Sequence, residues 1–252
     1  VRGLLAHPLT RGLDIDAPAT TALRRRIVRE KGFLSRLYRE WYRLISDALP
    51  ATGGRVLELG SGAGFMGEHV EDLITSEVFQ TPGASVVLDG ARLPFATRSL
   101  RGIVMTDVFH HLSAPRSFLA EAVRTLRPGG RVVMIEPWVT PWSTFVYRNF
   151  HHEPFEPGAA AWEFPSSGPL SGANGALPWM VFERDRSAFE REFPNLRLLE
   201  VRKLMPVTYL LSGGVGMRSL MPGFTYPIWR AAEGLAERAA GMFALVVVES
   251  RQ

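Results

Sequence analysis

Three observations predict an α/β chain with a doubly wound, mostly parallel sheet. Apolar strand-like runs alternate with helical periods across the middle of the chain. Glycines fall at every second position in Gly60-Ser61-Gly62-Ala63-Gly64, directly after the short, alternating, strand-like run Arg55 to Leu59. Acidic residues, Glu77 and Asp89, then end the next two strand-like runs. A glycine-rich turn at a strand's carboxyl end suits a nucleotide-like ligand lying across the sheet, because glycine accepts positive φ and admits close approach.

The chain has 252 residues, which suits one domain with an elaborated cap. No apolar run reaches the roughly 18 residues needed to span a bilayer, and no secretory leader is expected. Cysteine is absent, which excludes disulfides, thiolate nucleophiles and thiolate metal sites. A cytoplasmic location is expected. The net charge of +4 is concentrated in residues 1–50, with ten Lys/Arg against five Asp/Glu. Nearly all basic residues are arginine, so the overall basicity carries no functional conclusion. No recognisable nucleic-acid motif accompanies it.

Residues 1–20 read as an irregular lead-in. Thr20 or Thr21 is placed to cap a helix running to Leu49, with Leu23, Ile27, Leu34, Leu37, Trp41, Leu44, Ile45 and Ala48 at helical spacing and a break at Gly32. Its arginines form either a solvated basic face or a basic lid over an acidic substrate or phosphorylated lipid.

The glycine loop contains Gly62-x-Gly64-x-x-Gly67, the spacing of a nicotinamide-cofactor fingerprint. Glu58 argues against that ligand: its carboxylate faces the loop, where it would repel a pyrophosphate and hold an ammonium group. Glu68 to Ile74 are expected to continue as a helix. Ile74 to Val78 form a second strand, and Glu77 is placed to accept from ribose hydroxyls or to lie on the surface. The interval before the next strand is short, so the usual helix there is expected to be reduced or missing. Val86 to Asp89 form a third, buried strand. Asp89 can accept from an adenine amino group while the next backbone N–H meets a ring nitrogen; Leu93 and Phe95 are expected to pack. Leu100 to Met105 give strand four, Ala114 to Leu126 a helix stopped by Arg127-Pro128-Gly129-Gly130, and Arg131 to Glu136 strand five.

The order E-x-G-x-G-x-G, acid, D-x-x-x-L-P-F (Asp89 to Phe95), His110-His111 and L-x-P-G-G resembles class I S-adenosylmethionine (SAM)-dependent methyltransferases, in particular the type-11 family, over about residues 52–137. The resemblance implies a Rossmann-like, seven-stranded, mostly parallel sheet with an antiparallel last strand. An N-terminal helical lid over residues 1–50 would precede the methyltransferase domain of residues 51–252. It implies SAM as cofactor and S-adenosylhomocysteine as product. The cofactor-binding residues would be Glu58, Gly60, Ser61, Gly62, Gly64, Phe65, Glu77, Val78, Asp89, Gly90, Ala91, Thr106 and Asp107. The family commonly has Phe-Asp before strand four; Leu100-Arg101 stands there instead, at what is expected to be the strand's exposed start.

Methyl transfer from a sulfonium is an in-line displacement, so the protein must chiefly position donor and acceptor and exclude water. A general base is needed only where the acceptor loses a proton. His110 and His111 are the catalytic candidates, as a base or as pocket lining. His151 and His152 are second candidates. His151-His152-Glu153 carries no repeated ligand spacing, and no metal is expected.

After Pro137 the family match weakens. Insertions at about 138–185 and 204–229 are rich in aromatics, Gly and Pro and poor in charge. The first would line a pocket or anchor itself to the core. The second, with Met205, Met217 and Met221, suits an apolar substrate site or a dimer surface. Arg186 to Phe193 read as a helix, Leu196 to Val201 as a strand, Ile228 to Ala240 as a helix and Ala244 to Val248 as the last strand. The expected activity is methyl transfer to a small or medium-sized, partly apolar or lipid-like acceptor, on oxygen before carbon or nitrogen. The protein would be a monomer or homodimer, and peripheral membrane contact is compatible with the composition. A non-catalytic SAM-binding protein and a nicotinamide oxidoreductase are the alternatives.

Overall fold

The computed structural model describes residues 18–62, 64–151, 153–165 and 172–252. The lead-in before Pro18, Ala63, His152 and residues 166–171 lie outside the described residues.

The N-terminal apolar period forms two helices, α1 (Pro18–Glu30) and α2 (Gly32–Ala48). The first starts at a proline, whose fixed φ and missing N–H suit a helix's opening turn, and so before the expected threonine caps. The break falls at Lys31, which is extended. There Gly32 meets Gly223 backbone to backbone, so closely that a Cβ on Gly223 would stand 2.8 Å from the Gly32 carbonyl carbon. Helix α2 buries Phe33, Leu34, Leu37, Trp41, Tyr42 and Ile45.

Strand β1 (Val56–Glu58) follows, then the glycine loop and a single 3-10 turn, Met66–Glu68. The helix expected over Glu68 to Ile74 is absent. Strand β2 (Leu73–Glu77) claims Leu73 and Ile74, and Asp72 reverses the chain at φ +54°. Too few residues then remain for a helix. Tyr42 of α2 packs edge-on against Phe65, and Ser46 Oγ donates to the His69 carbonyl, so α2 covers this region. Strand β3 is only Val86–Val87, at the edge of the sheet among the described residues, and Val87 is 46% exposed, contrary to the expected burial: too short a strand to be covered on both faces, it leaves this side chain in solvent.

Strand β4 (Leu100–Thr106) leads through a 3-10 turn, Phe109–His111, to α3 (Pro115–Thr125) and β5 (Leu126–Pro137). The start of β4 is not exposed as expected. Leu100 is fully buried, and Arg101 donates to the carbonyls of Gly54 (3.1 Å) and Pro50 (3.1 Å), tying β4 to the chain before β1. Helix α4 (Pro141–Phe150) opens with a capping box between Thr140 and Ser143. A buried helical stretch follows, α5 (Leu177–Trp179) continuing as a π-turn through Arg184. Then come α6 (Arg186–Glu192), β6 (Leu196–Leu204), α7 (Thr208–Ser212), α8 (Tyr226–Glu233), α9 (Glu237–Ala240) and β7 (Phe243–Ser250). The expected Ile228 to Ala240 helix is thus two helices.

The sheet has seven strands in the order β3-β2-β1-β4-β5-β7-β6. The first five run parallel, and β7 is antiparallel to both β5 and β6, as the resemblance implied. Strand order turns back at β1, where the chain leaves for β4. The carboxyl ends of these two strands therefore form the crevice in which an open α/β sheet binds ligand. No described helix is long and apolar enough to cross a membrane.

Candidate active site

The loop after β1 is shaped by glycines for two separable reasons. Gly60 and Gly62 sit at φ +67° and +45°, where other residues are strained. A side chain at Gly60 would also strike Val108, 2.7 Å from its Cβ position. At Gly64 the reason is space: a Cβ would stand 2.5 Å from the Tyr42 hydroxyl and 2.9 Å from the Ser61 carbonyl. Ser61 fixes the loop to β2, its Oγ accepting from Ser76 N–H at 2.9 Å. Among the described residues the loop runs into a 3-10 turn, Met66–Glu68, and not into an α-helix, so its own continuation offers no helix N-terminus for a pyrophosphate.

Glu58 ends β1 almost wholly buried, beside the Gly64 position. Burial pushes its carboxyl up to about 8; Ser61 opposes the shift, and the neighbouring Glu77 adds to it. Glu77 accepts the Gly62 N–H, and burial raises its pKa as well. Phe65 is buried against Tyr42 and flanked by Arg29 and Arg39, so its ring packs and only its backbone remains near the loop. Val78 is exposed just beyond β2. Asp89 is exposed, accepts the Ala91 N–H at 2.8 Å and precedes the buried Gly90.

Thr106 ends β4 with a buried hydroxyl that has no hydrogen-bond partner among the described residues. Asp107 follows at φ +62°, an αL position that aspartate tolerates better than most residues. Burial pushes its carboxyl up to about 7, opposed by His110 and reinforced by Glu153 and Glu136.

The histidine pair lies on the next 3-10 turn, and its anchor is a residue the sequence reading passed over. Glu136, fully buried on β5, accepts the N–H groups of Val108 (2.8 Å) and Phe109 (2.7 Å) and the His110 Nδ1–H (2.8 Å). An acid ending the apolar run Arg131-Val-Val-Met-Ile-Glu136 was the available signal, since a buried charge requires partners. His110 Nε2 faces Glu153 Oε2 at 3.5 Å. Burial opposes a charge on His110, but the two glutamates prevail and hold its pKa well above the ordinary range. His111 Nδ1 donates to the Gly172 carbonyl at 3.0 Å, and its Nε2 lies 3.9 Å from Glu153 Oε1. Burial and the neighbouring His110 push His111 down to about 4. His151 Nδ1 stands 3.7 Å from Glu153 Oε2, so the insertion delivers its acid and one histidine to the pair. The histidine cluster adjoins the glycine loop through the Gly60–Val108 contact.

Two further residues missed in the sequence overhang the loop. The Tyr42 hydroxyl lies over Gly64, and the Arg25 guanidinium donates to the Gly62 carbonyl at 3.2 Å. The basic N-terminal helix is therefore not simply solvated. The aromatics of the first insertion divide: Trp138, Tyr147, Phe155 and Trp162 are buried, whereas Phe145 and Phe150 are exposed.

Residues 57–134 match the family model described as a methyltransferase domain, of type 11. The chain carries a methyltransferase domain. Curated relatives are demethylmenaquinone methyltransferases from Beutenbergia cavernae, 31% identical over 42% of this chain and 51% of that protein, and from Renibacterium salmoninarum, 29% identical over 44% and 54%. The chain thus spans about half the length of the curated relatives it matches. Among solved structures, geranyl diphosphate C-methyltransferase from Streptomyces coelicolor A3(2), in complex with Mg2+, geranyl diphosphate and S-adenosylhomocysteine, superposes with a TM-score of 0.52. The identity there is 14%, over 98% of this chain and 89% of that one. The [4+2]-cyclase SpnF superposes at 0.50 with 14% identity, covering 84% and 80%. At such identities the likeness is one of fold. A methyltransferase and a cyclase fit about equally well, so superposition does not decide the reaction.

Proposed function

We propose that this chain binds SAM in the crevice at the ends of β1 and β4 and methylates an oxygen-bearing, partly apolar small molecule. The observation that carries the reading is the junction at Gly60–Val108. It sets a glycine cradle with buried carboxylates directly beside a polar cluster of two histidines and Glu153.

The residues fit the cofactor. Glu58 and Glu77 supply negative charge for an ammonium group and acceptors for ribose hydroxyls, Asp89 an acceptor for an adenine amino group. The orphaned Thr106 hydroxyl is a polar atom awaiting a partner. The bound group supplies a sulfonium methyl. The chain's own part is positioning and exclusion of water. Glu136 fixes the His110 ring, the Gly172 carbonyl fixes His111, and the two rings with Glu153 form the polar wall for an acceptor oxygen. Relatives named for a demethylated quinone agree with a partly apolar acceptor.

The test is incubation with methyl-labelled SAM and a panel of hydroquinones, phenols and allylic alcohols, read by mass spectrometry and NMR. Label on an acceptor oxygen is the expected result. Label on carbon alone would correct the acceptor atom. SAM binding with no transfer to any member would favour a non-methylating role.

A further inference from the structure

We propose that His110, His111 and Glu153 form a binding site for one divalent transition-metal ion of the zinc class. One ligand atom from each lies within 4.8 Å of the others. The Glu153 carboxylate stands 3.5 Å from His110 Nε2 and 3.9 Å from His111 Nε2. Ligands on a tetrahedral zinc with bonds of about 2.0–2.1 Å stand roughly 3.4 Å apart; each histidine lies near that spacing from one Glu153 oxygen, Oε2 for His110 and Oε1 for His111, and rotation of the side chains would bring a single oxygen to both.

What distinguishes the cluster from a chance meeting of polar side chains is its outer shell. A metal-bound histidine almost always donates its other ring N–H to a carboxylate or a carbonyl, which sets the tautomer and aims the ligating nitrogen. Both histidines do so: His110 Nδ1 to Glu136 at 2.8 Å, His111 Nδ1 to the Gly172 carbonyl at 3.0 Å. In each ring it is Nε2 that is turned toward Glu153. Adjacent residues commonly point apart, but on this 3-10 turn the two rings converge, with centroids 4.1 Å apart. Three carboxylates, Glu136, Glu153 and Asp107, lie within 4 Å of His110, and a dication displacing the proton of His110 Nε2 would meet the same acidic surroundings. Two nitrogen donors of three favour zinc, cobalt or iron over magnesium or calcium, which prefer oxygen.

The spacing along the chain gave no metal signal because the ligands come from two segments more than 40 positions apart. Three protein ligands leave a coordination position open, the arrangement of catalytic rather than structural zinc sites. On the reading above, that position would take the acceptor's hydroxyl oxygen and ease loss of its proton to solvent.

The experiment uses untagged, chelator-treated protein of residues 1–252, titrated with Zn2+ by calorimetry and with Co2+ by visible absorption. One equivalent should bind at micromolar Kd or tighter, with a cobalt band of low coordination number. His111→Ala and Glu153→Ala should each weaken binding by about 100-fold or more, Glu136→Gln by about 10–100-fold, and excess Mg2+ should not compete. Wild-type protein that takes up no stoichiometric metal at about 100 µM would overturn the site, whatever the variants do. So would undiminished binding by a folded His111→Ala/Glu153→Ala double variant. S-adenosylhomocysteine titrated into the same sample separates the two readings. Metal without thioether overturns the cofactor assignment alone, and thioether without metal overturns the metal site alone.

Discussion

Arg25 on α1 donates from Nη2 to the carbonyl of Gly62, the middle glycine of the loop, at 3.2 Å. Its positive charge favours ionisation of both Glu58 and Glu77. The N-terminal helix thus brings a cation to the loop, where the proposed cofactor's own positive groups would also lie.

Arg25 and a cationic ligand therefore compete. Arg25→Gln should tighten binding of SAM several-fold relative to S-adenosylhomocysteine, because only the former carries the sulfonium charge. The difference should shrink as salt is raised. Calorimetry with both ligands at two ionic strengths checks this; equal changes for the two would remove charge competition from the account.

Glu58 gives the second prediction. Its carboxyl is raised to about 8, above the ordinary glutamate value, so in the ligand-free protein it is mostly protonated at pH 7. Ionising it in place is unfavourable, so Glu58 removes stability progressively as pH climbs from about 4.5 to 8. An ammonium brought beside it lowers its pKa, so binding should release up to about one proton near pH 7 and strengthen between pH 6 and 8. Titrations in buffers of different ionisation enthalpy measure the release. In Glu58→Gln it should vanish, and affinity should fall by roughly 10–100-fold, as for a lost hydrogen bond to a charge.

A third prediction isolates space from conformation. Gly64→Ala places a methyl 2.5 Å from the Tyr42 hydroxyl and 2.9 Å from the Ser61 carbonyl. It should cost about 1–3 kcal/mol of stability and weaken S-adenosylhomocysteine binding. Tyr42→Phe removes the nearer obstacle, so the double variant should recover part of both losses. Urea unfolding of the four proteins gives the coupling, and strict additivity would mean the hydroxyl is not the obstacle.

The fourth concerns the attachment of the C-terminal cap to the N-terminal helices. Arg230 on α8 bridges Glu40 of α2 (2.7 Å), Glu233 (2.5 Å) and Glu237 (2.7 Å), and is itself largely buried. Arg230→Ala leaves three acids without their cation and should destabilise the protein by about 3–5 kcal/mol in urea unfolding. A loss under 1 kcal/mol would mean the network is solvent-relaxed.

The sequence made the sheet and its loop legible because each rests on local constraints. Positive φ demands Gly60 and Gly62, and strand-like runs ending in Glu58, Glu77 and Glu136 mark strands that stop at a crevice. The helix expected after the loop failed for a non-local reason. Glu68 to Ile74 have acceptable helix propensity, but pairing with β1 draws Leu73 and Ile74 into β2. The partners of the histidine pair were equally hidden. Glu136 lies 26 positions from His110, and Glu153 arrives from the insertion. Arg25 and Tyr42 looked like members of an ordinary amphipathic helix until the fold laid that helix over the glycines.

The proposed cofactor site stands on binding of a SAM-type ligand by the glycine cradle with Glu58. Calorimetric titration of the folded chain with S-adenosylhomocysteine tests it most directly, with NADH as control and Gly62→Arg and Asp89→Ala as variants. Micromolar binding of the thioether, none of NADH, and marked weakening in both variants are expected. Binding of NADH alone, no binding of the thioether by folded protein, or unaltered affinity in both variants would contradict the proposed site.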